Sequence, residues 1–329
     1  MQPGISVVIP NYNGAALLPQ TLPTVFAALD RSGRPYEVIV SDDASTDDSL
    51  EYIATGFPTV EILVAQKNGG FSVTANRGIR AARFDLVLLL NSDVKLTPDY
   101  FLHLLPYFSK ENVFGVMGRI IGWGDDKIQD GAKYPSFHSA KIKTSVNYLL
   151  EDEAAMEEGL YTMYLSGANA LVDRRKLLEL GGFNELFSPF YVEDYELSLR
   201  AWRLGWRCYY EHRAVCRHQT STTIRSNSRK AFIRLISNRN KWFLHAIHLG
   251  AGRRLLWFIQ LLPEVFFQSL LLKDYYLRAF LLFIKSYGRV RRSRHDFQQL
   301  AGNKKLLSVQ EVARFIQASI KGRAVKFFS

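Results

Sequence analysis

Four groups of residues in this 329-residue chain have the types and spacing to do chemistry. Asp42 and Asp43 directly follow a β-rich run, where a carboxylate can accept hydrogen bonds from a nucleobase imide or a ribose hydroxyl. Ser45, Asp47 and Asp48 lie in the same stretch, and from the residues alone helix capping is the preferred reading. Asn91-Ser92-Asp93 closes the most hydrophobic run of the first half. An acid at that edge can hold a divalent cation against a diphosphate, or it can be a turn residue. Glu193-Asp194 lies between the aromatic run 187–191 and an amphipathic helix. Paired acids gain from the dipole at a helix start, and a partly buried acid beside another can act as a general base. Spacing does not choose between the two. His218 ends a strand-like run, as a metal ligand or as a hydrogen-bonded structural residue. Asn68-Gly69-Gly70 is a weak glycine-loop signal. No Walker-type loop occurs and no Gly-x-Gly-x-x-Gly follows the first strand, which argues against a P-loop ATPase or an ordinary NAD enzyme.

These groups need a frame, and the first ninety residues supply one. Apolar runs at 5–10, 37–41, 61–64 and 86–90 read as strands, with helical patterns between them. Alternation of this kind predicts an α/β fold with a largely parallel sheet covered by helices on both faces. Ligands then bind beyond the carboxyl ends of the strands, where the polar clusters of this region fall. Pro19 and Pro23 interrupt the first helix pattern and leave its extent open. Further on, 122–126 and 131–139 read as loop, and the acidic run 151–158 as a solvated helix face. A helix over 174–180 is closed by Gly181-Gly182, a second over 193–204 by Gly205, and strands are expected at 206–210 and 214–217. No internal repeat or low-complexity tract is seen.

Charge divides the chain. Residues 1–228 carry 22 Lys or Arg against 27 Asp or Glu, while residues 229–329 carry 20 against 4, so the net +11 belongs to the last third. Aromatic residues at 13% exclude a disordered chain. Two cysteines, Cys208 and Cys216, make neither a disulfide framework nor a four-thiolate zinc site and fit a reducing compartment. With strand-like sequence from Ile5, no signal peptide is expected ahead of the fold. The stretch 255–284 is the longest apolar one. Gln260, Glu264 and Gln268 recur every four positions as a narrow stripe, and Trp257, Phe258, Phe266, Phe267, Tyr275, Tyr276 and Phe280 load the other face. Pro263, Glu264 and Lys273-Asp274 break it before a membrane-spanning length accumulates. Lys285, Arg289, Arg291, Arg292 and Arg294 follow. That pattern suits a helix lying in a membrane interface, or one packed on the catalytic domain or a second copy of the chain. Nucleic-acid binding lacks a reader motif.

Taken in order, several segments resemble the family-two glycosyltransferases of GT-A fold, especially bacterial rhamnosyltransferase-like and O-antigen-type members. They are Ser6-Val-Val-Ile-Pro-Asn-Tyr-Asn-Gly14, Glu37-Val-Ile-Val-Ser-Asp-Asp-Ala-Ser-Thr-Asp47 and Asn68-Gly-Gly-Phe-Ser-Val-Thr-Ala-Asn-Arg-Gly78. Leu88-Leu-Leu-Asn-Ser-Asp-Val94, Ser166-Gly-Ala168, Gly181-Gly-Phe-Asn-Glu185 and Glu193-Asp-Tyr-Glu-Leu-Ser-Leu-Arg200 continue the series, with Trp206 and His218. The likeness covers roughly 4–223.

The resemblance implies a catalytic domain over 1–226 and a helical, basic, amphipathic region over 227–329. It implies that Asp42 and Asp43 hold the nucleoside of a sugar nucleotide, UDP- or dTDP-linked by preference. Pro10, Asn11, Tyr12, Asn13, Asn68, Gly70, Asn76 and Ser92 are expected on the donor side, and Gly167 and Glu193 on the acceptor side. Asp93 is expected to bind Mg²⁺ or Mn²⁺ with His218, Asn91 replacing the first acid of the Asp-x-Asp motif. Asp194 matches the base of an inverting, single-displacement transfer to a glycan or polyprenyl-linked acceptor in surface polysaccharide synthesis. The expected location is peripheral, on the cytoplasmic face of the membrane, with an anionic surface and a second copy as candidate partners. A nucleotidyltransferase-like sugar-nucleotide enzyme is the alternative, and a nucleic-acid-binding protein led by the basic tail is a third reading.

Overall fold

The computed structural model describes residues 3–152, 154–156, 159–219 and 230–328. Strands β1 (Ile5–Asn11), β2 (Tyr36–Asp42), β3 (Glu61–Val64) and β4 (Leu86–Leu90) alternate with helices α1 (Leu18–Ser32), α2 (Ser49–Gly56) and α3 (Phe71–Ala81). Then come β5 (Val94–Leu96), α4 (Tyr100–Leu104), β6 (Val113–Gly122), β7 (Ile128–Asp130), β8 (Ala132–His138), β9 (Lys141–Leu150) and β10 (Leu160–Tyr161). β11 (Asn169–Asp173), α5 (Arg174–Glu179), α6 (Glu193–Arg203) and β12 (Arg207–His218) complete the expected catalytic domain. Four further helices, α7 (Lys230–His248), α8 (Ala251–Leu270), α9 (Asp274–Ala301) and α10 (Val309–Ser319), lead to β13 (Val325–Phe328).

The main sheet runs β10-β12-β6-β11-β4-β1-β2-β3, with β5 on β12 and β7 on β6; a smaller sheet runs β13-β9-β8. β4, β1, β2 and β3 are mutually parallel, and β11 enters antiparallel between β4 and β6. Parallel strands covered on both faces read as near-continuous apolar runs: β4 is apolar throughout, and β1 is so from Val7 to Pro10. Their side chains divide by parity. Val7, Ile9, Leu88 and Leu90 enter one core, and Val8, Val87 and Leu89 the other.

The second core also contains Trp242, Phe243, Trp257, Phe283, Val312 and Ile316 from the C-terminal helices, so those helices share their apolar interior with the sheet. The expected boundary at 226/227 and the last residues of the resemblance, 220–223, lie outside the described residues, as do 153, 157 and 158 of the acidic run. Of that run, Ala154–Met156 form a short 3-10 turn.

Several elements differ from expectation for identifiable reasons. The stretch 131–139, read as loop, is mostly β8, whose pairing with β9 shifts register between Tyr134 and Ser136. Pro135 occupies that irregularity, which hides the period-two pattern. α1 runs unbroken because Pro19 falls in its first turn, where no N–H bond is lost, and Pro23 is carried inside the helix. The strands expected at 206–210 and 214–217 are one strand, β12, with a register shift between Glu211 and Val215.

The apolar tail splits into α8 and α9. Its polar stripe faces protein: Glu264 pairs with Lys141 and accepts from the Tyr276 hydroxyl, and Gln260 bonds Ser139. Trp257 is buried, while Leu255, Ile259, Leu262, Leu270 and Leu271 are exposed and Phe266 and Phe267 are each 60% exposed. Among the described residues, no helix is long and apolar enough to cross a membrane.

Candidate active site

The carboxyl ends of β1, β2 and β4 open on a cavity of about 1170 Å³, above the range usual for a single small ligand. One side of it is built by internal hydrogen bonds. Asp42, fully buried, accepts from Asn11 Nδ2 at 2.9 Å, from Ser45 N at 2.9 Å and from Ser45 Oγ at 2.5 Å. Asp43 accepts from the N–H groups of Gly69 (2.8 Å) and Gly70 (2.9 Å), which draws the glycine turn to the end of β2. Gly70 has φ +83°, and a Cβ there would lie 2.7 Å from Pro189 Cα. Only glycine satisfies both conditions. The next residue ties the same turn to the loop before α6, Phe71 N donating to Pro189 O at 2.9 Å.

Twelve of the residues singled out from sequence share this cavity wall: Pro10, Asn11, Tyr12, Asp43, Asn68, Gly70, Ser92, Asp93, Gly167, Glu193, Asp194 and His218. Asn13, Asp42 and Asn76, expected on the donor side, do not line it. Asn13 accepts from Thr46 N at 2.8 Å, fixing the turn after β2. Asn76 donates to Phe183 O (2.8 Å) and accepts from Phe183 N (2.7 Å), fixing the chain after Gly181-Gly182. Asp42 is occupied by Asn11 and Ser45. All three support the wall from behind.

Asp93 and His218 meet because β5 and β12 pair antiparallel with Val94 opposite His218. His218 Nε2 stands 3.5 Å from Asp93 Oδ2, and its Nδ1 is 3.1 Å from Gln129 Oε1. Asp93 Oδ1 is buried without a hydrogen-bond partner among the described residues. An orphaned carboxylate oxygen beside an oriented imidazole nitrogen fits a divalent cation, the second partner fixing the ring. Among the described residues no group of three or more His, Cys, Asp or Glu side chains gathers for a metal. Mg²⁺ sites commonly take one or two carboxylates and complete their shell with substrate phosphates.

α6 presents Glu193 and Asp194 to the same cavity from its first turn. Burial, reinforced by the charge of Asp194, pushes Glu193 up to about 8. Burial raises Asp194 too, but Tyr195 N at 2.7 Å, Gly167 N at 3.4 Å and the ammonium of Lys133 oppose it. The two acids therefore differ in surroundings: N–H donors and an ammonium favour the charged form of Asp194, while burial and a neighbouring acid favour the neutral form of Glu193. Lys133 is buried against this pair, ion-paired to Asp130 and donating to Asn147 Oδ1 at 2.9 Å, and burial lowers it to about 8. Lys133, Asp130 and Gln129 line the cavity from β7 and β8. Sequence reasoning missed them because that region read as loop. Phe190, Tyr191 and Phe232 also line it; the aromatic run 187–191 was the visible signal for the first two.

A mixed sheet of this order, with a carboxylate–imidazole pair and a buried acid lining one cavity, fits a glycosyltransferase of GT-A fold. The chain belongs to the family described as "Glycosyltransferase like family 2", whose model matches residues 3–243. That match runs beyond the expected domain boundary and takes in most of α7. Among relatives, the N-acetylglucosaminyl-diphospho-decaprenol L-rhamnosyltransferase of Mycobacterium tuberculosis is 25% identical over 273 residues, covering 73% of this chain and 86% of that protein. Chondroitin synthase of Escherichia coli is 24% identical over 277 residues, covering 73% of this chain but 39% of that larger protein. The structure of GalNAc-T7 with UDP, GalNAc and Mn²⁺ superposes with a TM-score of 0.65 at 16% identity, covering 97% of this chain and 57% of that one. At that identity the likeness is one of fold.

Proposed function

We propose that the protein is an inverting, metal-dependent glycosyltransferase. It moves a sugar from a UDP- or dTDP-sugar to a hydroxyl of a glycan or polyprenyl-linked acceptor in surface polysaccharide synthesis. The observation that carries this reading is the cavity wall common to Asp194, Asp93 and His218. Asp43 and the 69–70 turn set the nucleoside end, with Asn11 and Tyr12 beside them. Asp93 and His218 would hold Mg²⁺ or Mn²⁺, which when bound supplies charge neutralisation on the departing diphosphate. Asp194, ionised, accepts the proton of the acceptor hydroxyl as its oxygen bonds to C1 and the bond from C1 to the diphosphate oxygen breaks. The nucleoside diphosphate leaves on the opposite face, so the anomeric centre inverts in one displacement. Protonated Glu193 donates a hydrogen bond on the acceptor side. The Lys133 ammonium favours the charged form of Asp194.

The exposed apolar strip of α8 and α9, followed by Lys285, Arg289, Arg291 and Arg292, suits a peripheral seat on an anionic membrane. A polyprenyl-linked acceptor would be met there. The test follows the products. Incubated with UDP- or dTDP-sugar, Mn²⁺ and a polyprenyl diphosphate-linked acceptor sugar, the enzyme releases nucleoside diphosphate. Asp194→Asn abolishes release while the donor still raises the melting temperature. Pyrophosphate as product would favour the nucleotidyltransferase alternative, and wild-type turnover in the variant would remove Asp194 from its role.

A further inference from the structure

Asp194 is delivered to the cavity by an unusual stretch of backbone. Tyr191 (φ +74°) and Val192 (φ +76°) are consecutive non-glycine residues in the left-handed region, where side chains rarely sit. Val192 is the N-cap residue of α6 and offers it no side-chain cap. Such a conformation persists only where its surroundings over-determine it, and it gathers at functional sites.

The surroundings here come from the helical region beyond the expected catalytic domain. Asn240, fully buried on α7, directs its Nδ2 at three carbonyls of the loop: Phe187 O at 2.6 Å, Phe190 O at 3.0 Å and Tyr191 O at 2.8 Å. Which way the amide points is settled by its neighbour. Arg239 donates from Nε (3.0 Å) and Nη2 (2.8 Å) to Asn240 Oδ1, so the NH₂ group must face the loop. The same Nη2 reaches Ser188 O at 2.5 Å. Phe243, one turn on, meets Phe187 edge-on with ring centroids 5.9 Å apart. One amide thus gathers three carbonyls of the loop on its two N–H groups. The chain it fixes ends just before the acid pair.

We propose that Arg239 and Asn240 are positioning residues for sugar transfer: α7 holds 187–191 in the turn that aims Glu193 and Asp194 into the cavity. This rests on the reading of Asp194 as the base. A loop released from α7 lets the carboxylate shift by about an ångström, a displacement that costs about a hundredfold in rate at reacting groups. The donor cradle of Asp43 and the 69–70 turn stays in place.

The test separates aim from general stability. Asn240→Ala is expected to lower kcat by about ten- to a hundredfold with donor KM changed less than about twofold. The acidic limb of its pH–kcat profile moves, because the acid pair no longer keeps its burial. Arg239→Gln, which leaves the amide but removes its anchor, gives a smaller loss of the same kind and serves if Asn240→Ala does not fold. Ile247→Ala, buried elsewhere on α7, lowers stability but leaves kcat of the folded enzyme unchanged. If Asn240→Ala and Arg239→Gln keep wild-type kcat while Asp194→Asn is inactive, the positioning role is overturned and the base survives. Equal losses through kcat and donor KM overturn it too, since they report general damage. Wild-type turnover in Asp194→Asn would instead remove the base itself.

Discussion

Glu193→Gln isolates the protonation state on which the catalytic assignment depends. Glu193 is 7% exposed and its Oε2 has no partner among the described residues. Burial and the neighbouring Asp194 raise it from 4.5 to about 8. Across that window the folded protein binds a proton that the unfolded chain has released, so the carboxyl makes stability fall as pH rises. A tenfold change in proton affinity is worth about 1.4 kcal/mol, which bounds the loss at about 5 kcal/mol once pH exceeds 8. Glutamine keeps the shape and neutrality of the protonated acid and incurs none of this loss. Urea unfolding at about pH 5, 7 and 9 should show the two proteins nearly equal at the lowest value, with the variant more stable by several kcal/mol at the highest. Because Asp194 is the proposed base, the variant should also retain kcat within about tenfold at pH 7. Parallel stability curves at all three values would mean that Glu193 is not held protonated, and the division of labour between the two acids would fail.

Gly70→Ala combines left-handed strain of about 1–2 kcal/mol with crowding against Pro189 of about 1–3 kcal/mol. It should cost about 2–5 kcal/mol in denaturant unfolding and weaken donor binding; a variant of wild-type stability would contradict the close approach. Asp93→Asn should erase the Mn²⁺-dependent part of the donor-induced rise in melting temperature and keep the nucleotide-dependent part, and an unchanged Mn²⁺ response would remove Asp93 as a ligand. The double variant Phe267→Glu/Leu270→Glu places two charges on the exposed strip and leaves the core intact. Co-sedimentation with vesicles rich in anionic lipid should fall about tenfold or more, while soluble-acceptor turnover persists; undiminished sedimentation would remove that strip as the membrane contact.

The donor half was legible because strands covered on both faces read as near-continuous apolar runs, and their ends mark the site. Asp42 and Asp43 show where legibility stops. Successive side chains at a strand end point to opposite sides, so one acid is enclosed by Asn11 and Ser45 and the other reaches the cavity; sequence cannot say which is which. The pairing of Asp93 with His218 depends on the β5–β12 register, which no local pattern encodes. Lys133 stayed hidden because Pro135 and a shifted register mask β8. Asn240 was invisible for a different reason: a single amide within a basic, aromatic helix carries no signature until its three carbonyls are seen. The tail's composition was read correctly as apolar and basic. Its polar stripe contacts the β8–β9 hairpin and α9, where an interfacial helix would have turned it to water.

The smaller sheet also imposes an order of events in time. β9 pairs with β8 on one edge and with β13 on the other, and Phe328 lies opposite Asn147, the residue that orients Lys133. The ring of Phe328 lies against Gly131, between Asp130 and the strand bearing that lysine. During synthesis the nucleotide-facing strands can fold as they emerge, but β9 lacks its second neighbour until residue 328 has left the ribosome. Lys133 can meet Asp130 and Asn147 within its own hairpin, and the strand that ends at Phe328 adds the second edge to β9 only later.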